Sequence, residues 1–316
     1  MKTRNDGISW THDTQNFWLG CDKVSEECKY CYIYRQLRRL GLKAWGDVVK
    51  AKSTWTKADE WEKELSNTMS VGNGRRHCNT CGAFSNGTFC EKCGDKPYMR
   101  MFTCSLSDFF HAKSDKWRPE AWEKIKSAPH CVFLILTKRP ERILRHLPKD
   151  WGENGYQNVW LGTSIGSNKT TYRVDVLRKV PAAVRFLSCE PLLEDIADNL
   201  DLTGIQWVIA GGESGEGKEY LYDPTKRWQD GPETGRRTMK LEWAYKLYVK
   251  ANDAGIPFFF KQITSGRSGV GADKLTGKVI HEFPAPPNGG VWWTPPAEES
   301  VQPPAEELVQ ITGGIA

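Results

Sequence analysis

From Phe17 onward, short apolar runs recur along the chain, each followed by a polar or amphipathic stretch long enough for a helix. That alternation is the pattern of a parallel sheet wrapped by helices. The runs that read as strands are Phe17–Gly20, Met101–Ser105, Cys131–Thr137, Val159–Thr163, Val184–Ser188, Trp207–Gly211 and Pro257–Lys261. Several are apolar throughout, as strands covered on both faces are. Between them, Ile33–Trp45, Lys57–Met69, Pro119–Ala128, Pro140–Leu147, Thr170–Val180 and Thr238–Ala254 read as helices. Pro119 and Pro140 suit a first helical turn, and Gly255 ahead of Pro257 suits a C-terminal cap. The expected fold is α/β, a partial or full β/α (TIM-like) barrel of about six to seven parallel strands. A doubly wound open sheet is the main alternative, since periodicity does not establish closure.

Two segments break the rhythm. Residues 72–99 are rich in Cys, Gly and Asn and read as an inserted module within a barrel made of residues 1–71 and 100–283. Residues 284–316 carry three Pro-Pro pairs among acidic residues and read as an extended or disordered tail. No apolar run reaches the roughly 18 residues of a membrane span, and Met1–Asp6 leads into polar sequence without the apolar core of a signal peptide, so a cytoplasmic location is expected. The net charge of +5 permits a polyanionic partner without demanding one. The 10 Cys change the picture more, because grouped cysteines in a reducing compartment are metal ligands more often than disulfides.

The first group is Cys21, Cys28 and Cys31, a C-x6-C-x2-C array. Three thiolates on one loop suit an iron-sulfur cluster with one open iron, which is left free to take a substrate or cofactor. A structural zinc site with a remote fourth ligand, or three unrelated buried cysteines, are the other readings. The second group, Cys78, Cys81, Cys90 and Cys93, forms two CxxC knuckles each followed by Gly. It reads as a zinc ribbon whose four thiolates close a tetrahedral site, with a second iron-sulfur cluster as the alternative. So short a module has no apolar core of its own, and Zn2+ would supply its stability. Cys104, Cys131 and Cys189 are scattered on strands and read as inert buried thiols. Cys189 is the exception worth testing, because with Glu190 it lies at the C-terminal end of a strand, where barrel active sites gather.

The array resembles the signature of the radical S-adenosylmethionine (radical SAM) superfamily, with Tyr30 at the aromatic position before the last cysteine and six residues in the first spacer where that superfamily has three. Gly20–Ser25, Cys28–Tyr32, Ser105–His111, Leu136–Pro140, Arg185–Leu192, Gly211–Gly215 and Phe258–Gln262, in this order, resemble a phage and prophage family with a three-cysteine motif that is related to radical SAM proteins. The resemblance implies a [4Fe-4S] cluster on Cys21, Cys28 and Cys31, with S-adenosyl-L-methionine (SAM) chelating the open iron. Electron transfer from an external donor of the flavodoxin or ferredoxin type then cleaves the sulfonium to a 5′-deoxyadenosyl radical that abstracts hydrogen from the substrate. It places Ser105 and Ser107 at the strand that contacts the methionyl group, Ser164 where the ribose is contacted, and Lys138 or Arg139 opposite a carboxylate or phosphate. Gly211, Gly212 and Glu213 look like the GGE element that holds the methionyl amino group, but they follow the sixth strand run instead of the second, so their role is open between cofactor and substrate. Cys189 could return a hydrogen atom to a product radical. Each polar strand end also has a plain reading as a helix cap or ion pair. Phe17 and Trp18 read better as core aromatics than as a shield for the cluster.

Basic residues group at Arg35/Arg38/Arg39/Lys43, Arg75/Arg76, Arg139/Arg142/Arg145 and Arg236/Arg237/Lys240; most such groups are solvated helix faces, but Arg75-Arg76 beside a zinc ribbon suits a grip on nucleic acid. The functional expectation is a radical SAM enzyme acting on DNA or a nucleotide in the host cytoplasm, isomerising or otherwise modifying a hypermodified thymine or other nucleobase in phage DNA. A non-catalytic zinc-dependent nucleic-acid or partner-binding protein is the alternative from another class, and radical repair of damaged DNA is a third. Oligomeric state is not legible.

Overall fold

The structure, a computed structural model, describes residues 8–43, 45–71, 76–77, 84–85, 98–214, 236–265 and 269–285. Its centre is a sheet of β1 (Asp13–Gln15), β6 (Met99–Thr103), β7 (Cys131–Thr137), β8 (Val159–Ser164), β9 (Val184–Cys189), β10 (Trp207–Gly211) and β11 (Phe258–Gln262), in that spatial order and parallel throughout. Helices α1 (Ile33–Arg39), α2 (Lys57–Val71), α3 (Arg118–Lys126), α4 (Arg173–Arg178) and α5 (Leu241–Asp253) connect the strands. Two short antiparallel pairs stand apart: β2 (Trp18–Leu19) with β3 (Val49–Lys50), and β4 (Arg76–His77) with β5 (Phe84–Ser85). None of the described helices is long and apolar enough to cross a membrane.

The sheet curls into a partial barrel. The Trp10 ring reaches Phe102 on β6 at 4.6 Å and both Phe186 on β9 and Trp207 on β10 at 6.2 Å, contacts that a flat sheet would keep apart. The curl does not close, since β1 and β11 form the two ends of the strand order. Successive residues of each strand face opposite ways. Val132, Leu134, Trp160, Val184, Phe186, Trp207, Ile209 and Phe259 fill the concave side, while Cys131, Phe133, Ile135, Leu161, Leu187, Cys189, Val208 and Phe260 join the helix-side core. Gly162 sits on the concave side because a Cβ there would come within 2.4 Å of the Phe186 ring. Gly162→Ala is therefore expected to lower unfolding free energy by about 1–3 kcal/mol in urea titration, as overpacking does. An unchanged midpoint would mean that Phe186 moves aside freely.

Six strand runs lie within two residues of their expected bounds. The first does not: Phe17 and Trp18 are buried core aromatics, Trp18–Leu19 form only the short β2 outside the main sheet, and the sheet strand is the polar Asp13–Gln15 before them. Its polar side chains are buried because α2 needs them. Gln15 Oε1 accepts from the Ala58 N–H at 2.9 Å, and Asp13 accepts from Trp61 Nε1 at 2.8 Å and from Lys57. Helix α1 ends at Arg39, six residues before the expected Trp45, with Leu42 N bonding back to Leu37 O at 2.9 Å across Gly41. In place of a helix over Pro140–Leu147 there are two single 3₁₀ turns, Pro140–Arg142 and Leu144–His146. The His146 ring occupies the Arg142 carbonyl at 2.7 Å that an α-helix would have used. The knuckle cysteines Cys78, Cys81, Cys90 and Cys93, and the tail beyond residue 285, lie outside the described residues.

Candidate functional site

The aromatic filling stops short of the C-terminal ends of the strands, where concave positions turn polar: Lys138 after β7, Ser164 on β8, Ser188 and Glu190 at β9, and Lys261 on β11. These groups line a cavity of about 500 Å³. Cys21, Cys28 and Cys31 line it too, on the loop between β2 and α1, together with Tyr30, Ser105, Ser107, Gly212 and Glu213. Residues from Cys21 to Lys261 thus converge because every strand points its C-terminal end the same way.

Local geometry holds the cysteine loop on the end of β6. Cys104 closes that strand at φ = 61°, the one non-glycine positive φ among the described residues, and turns the chain so that Ser105–Ser107 form the cavity rim. Asn16 Oδ1 accepts from Leu106 N at 3.0 Å, the Tyr32 hydroxyl donates to Ser105 O at 2.7 Å, and Ser107 Oγ donates to Gly20 O. Asp108 ties the ends of β6 and β7 together. Its buried carboxylate accepts from Thr137 Oγ1 at 2.7 Å, Phe110 N at 2.9 Å, and Lys138 N and Arg139 Nη1 at 3.0 Å each. Arg139 continues to Cys21 Sγ at 3.7 Å and Asp22 O at 3.0 Å, so a buried guanidinium abuts the first thiol. His111 accepts at Nδ1 from Lys113 N and therefore donates from Nε2 to Asp22 at 3.0 Å, holding the same loop.

Electrostatics at the thiols are set by burial against these cations. Burial, aided by Asp108, pushes the Cys21 thiol up to about 12 against the pull of Arg139. Burial also raises Cys31, opposed by Lys138. Both are protonated at neutral pH in the bare protein, so loading a metal centre here releases protons. Three soft donors from one loop, in a cavity whose rim carries Lys138 and Arg139, fit a thiolate-bound anionic cluster with room beside it for a further ligand. Among the described residues, no group of three or more His, Cys, Asp and Glu is spaced to hold a single metal ion.

On the far wall, Lys261 Nζ meets Glu190 Oε1 at 3.0 Å, with Ser188 Oγ 3.3 Å from Glu190 Oε2. Lys138 Nζ donates to Ser164 Oγ at 3.1 Å. Glu213 is fully committed: Arg237 donates to it from its backbone N at 2.8 Å and from Nη2 at 2.5 Å, and also reaches Glu26 O at 3.0 Å with its guanidinium 5.2 Å from the Tyr30 ring. The glutamate of the Gly-Gly-Glu run thus belongs to a bridge from β10 to the cysteine loop. A Cβ at Gly212 would lie 2.2 Å from Thr264 N, so no side chain fits there, and one at Gly211 would push on the Glu190 carboxylate at 2.8 Å.

Of the expected site residues, Cys21, Cys28, Cys31, Tyr30, Ser105, Ser107, Lys138, Ser164, Glu190, Gly212 and Glu213 line one cavity, and Gly211 backs it. Cys189 does not join them. It lies on the opposite face of β9, fully buried in the helix-side core, where strand alternation sends Ser188 and Glu190 inward and Cys189 outward. Burial raises its thiol to about 12. Arg139 is a core residue of the site and not part of a solvated basic face. Sequence reasoning passed over Asn16, Tyr32 and Lys261, and took Arg237 only as one of a basic group. Lys261 was accessible to the rule that found the others, since it ends the strand run Pro257–Lys261.

The model of the family described as Protein of unknown function (DUF5131) matches residues 5–230. No curated protein matches the chain significantly in sequence. Two solved structures are similar in fold, both mutants of spore photoproduct lyase. A Tyr-to-Phe mutant has 12% identity and a TM-score of 0.44, covering 77% of this chain and 74% of its own. A Cys-to-Ser mutant has 12% identity and a TM-score of 0.47, covering 82% of this chain and 78% of its own.

Proposed function

The chain belongs to the family of proteins of unknown function DUF5131, and we propose that it is a radical SAM enzyme. The observation that carries this reading is the convergence of Cys21, Cys28 and Cys31, from one loop, on a cavity at the C-terminal mouth of a partial β/α barrel. A [4Fe-4S] cluster with bound SAM would supply reductive cleavage of the sulfonium and a 5′-deoxyadenosyl radical, with the electron coming from an external donor. The three cysteines would hold the cluster, and Arg139 against Cys21 would balance part of its negative charge. Tyr30, Ser105, Ser107, Lys138, Ser164 and the Gly211–Glu213 turn form the wall on which the cofactor would lie. Glu190, paired with Lys261 across the cavity, is left for the substrate, where a buried ion pair costs more than an apolar filling would and so suits a recognition role.

For the substrate we propose a nucleobase in phage DNA, with rearrangement of a hypermodified thymine side chain as the reaction. The cavity falls in the size range of small-molecule sites, and its rim carries Lys138 and Arg139, whose head groups suit phosphate. The test is the nucleoside content of phage DNA made with and without an active copy of the protein, read by mass spectrometry after complete digestion. One modified nucleoside should be replaced by its precursor when the protein is inactive; identical digests would reject the substrate. Binding of phage DNA should also weaken steeply with salt.

A further inference from the structure

The first cysteine spacer has six residues where the superfamily signature it resembles has three, and the added length has a visible use. Ser25 leads into a 3₁₀ turn, Glu26–Cys28, which buries the Glu27 side chain completely beside the end of β8. Glu27 Oε1 accepts from Gly166 N at 3.0 Å and from Thr170 Oγ1 at 2.7 Å. The Arg173 guanidinium stands 3.6 Å away, is itself 2% exposed, and donates to Ser164 O at 2.8 Å. One carboxylate of the cysteine loop thus gathers the segment after β8 from more than 130 residues away.

We propose that Glu27 is a positioning residue, a clamp that fixes the cysteine loop, and Cys28 directly after it, against the C-terminal end of β8. Its role as a clamp on cluster geometry rests on the radical SAM reading, whereas the clamp itself does not. Geometry on both sides of the carboxylate supports it. A Cβ at Gly166 would lie 2.5 Å from Glu27 Cγ and 2.4 Å from Pro191 O, so the β8 loop is shaped around this side chain. The buried Arg173 guanidinium stands beside the buried carboxylate as its counter-charge. A charge-assisted bond of this kind is stronger than a neutral one and localises both partners. Glu27 touches no expected reacting atom; it acts through Cys28.

The test uses the full-length apoprotein under reducing, anaerobic conditions and follows alkylation of Cys28 by iodoacetamide with peptide mass spectrometry. Cys28 is 6% exposed, so its modification requires the loop to open. Glu27→Ala should speed alkylation of Cys28 about tenfold and leave Cys131 unaffected, because removing a buried charged acceptor frees the loop. Glu27→Gln, which keeps Oε1 but removes the charge facing the buried Arg173, should fall between wild type and Glu27→Ala. After anaerobic reconstitution, Glu27→Ala should load less iron or show a broadened paramagnetic signal for the reduced cluster, and Glu27→Gln should restore part of the wild-type signal. If Glu27→Ala fails to fold by circular dichroism, Thr170→Val removes one donor and should speed alkylation about threefold. Equal Cys28 alkylation in the folded variant and wild type overturns the clamp. Because alkylation needs no metal, a wild-type chain that takes up no iron refutes the radical SAM reading while this result still decides the clamp.

Discussion

Cys28→Ala should abolish both iron uptake and 5′-deoxyadenosine formation while leaving the fold intact. Cys28 is the middle cysteine of three on one loop, and it faces the cavity instead of packing in either apolar cluster. Its loss therefore removes a donor without opening a void in the core. With two thiols left in the cavity, an exposed cluster would lose its third anchored iron and fall apart, so iron should drop from about four per chain to background. Circular dichroism and a melting curve of the apoprotein should match wild type. Cys189→Ala makes the control, because Cys189 lies on the helix-side face of β9 and takes no part in the cavity. It should keep full iron and full 5′-deoxyadenosine yield at some cost in stability. A Cys28→Ala protein with wild-type iron would place the cluster elsewhere.

Asp108→Ala should be the most destabilising single substitution near the site. Its carboxylate satisfies four donors from two strand ends, among them the Arg139 guanidinium at 3.0 Å, and the two side chains are only 6% and 9% exposed. Breaking a buried pair by removing one partner leaves the other charge uncompensated and costs about 3–5 kcal/mol. Set against a typical domain stability of about 5–15 kcal/mol, that is a large fraction of the total. Urea unfolding of the apoprotein reads it directly. Asp108→Ala with Arg139→Met should recover part of the loss, since the stranded cation is then gone. A cost under about 1 kcal/mol for Asp108→Ala would mean that water already solvates the pair.

Strands β7 to β11 were legible because their residues are apolar on both faces, and the concave side of each reads as every second residue. β1 was not, because Asp13, Thr14 and Gln15 are buried for their hydrogen bonds to α2, which no hydrophobic pattern registers. The cysteine cavity was legible through the three-thiol spacing combined with polar strand ends. Cys189 was misplaced for a definite reason: the strand-end rule locates the end of β9 but not its parity, and Ser188 and Glu190 hold the inward parity. The roles of Arg237 and Glu27 could not be found from sequence, since each acts on a partner more than 20 residues away through a single contact set.

The most direct test is anaerobic reconstitution with iron and sulfide, followed by reaction with SAM and dithionite and chromatography of the products. The proposed function predicts about four irons per chain on the three-cysteine site and 5′-deoxyadenosine formed together with methionine, both lost in Cys28→Ala. A folded wild-type chain that takes up only zinc and leaves SAM intact would contradict it.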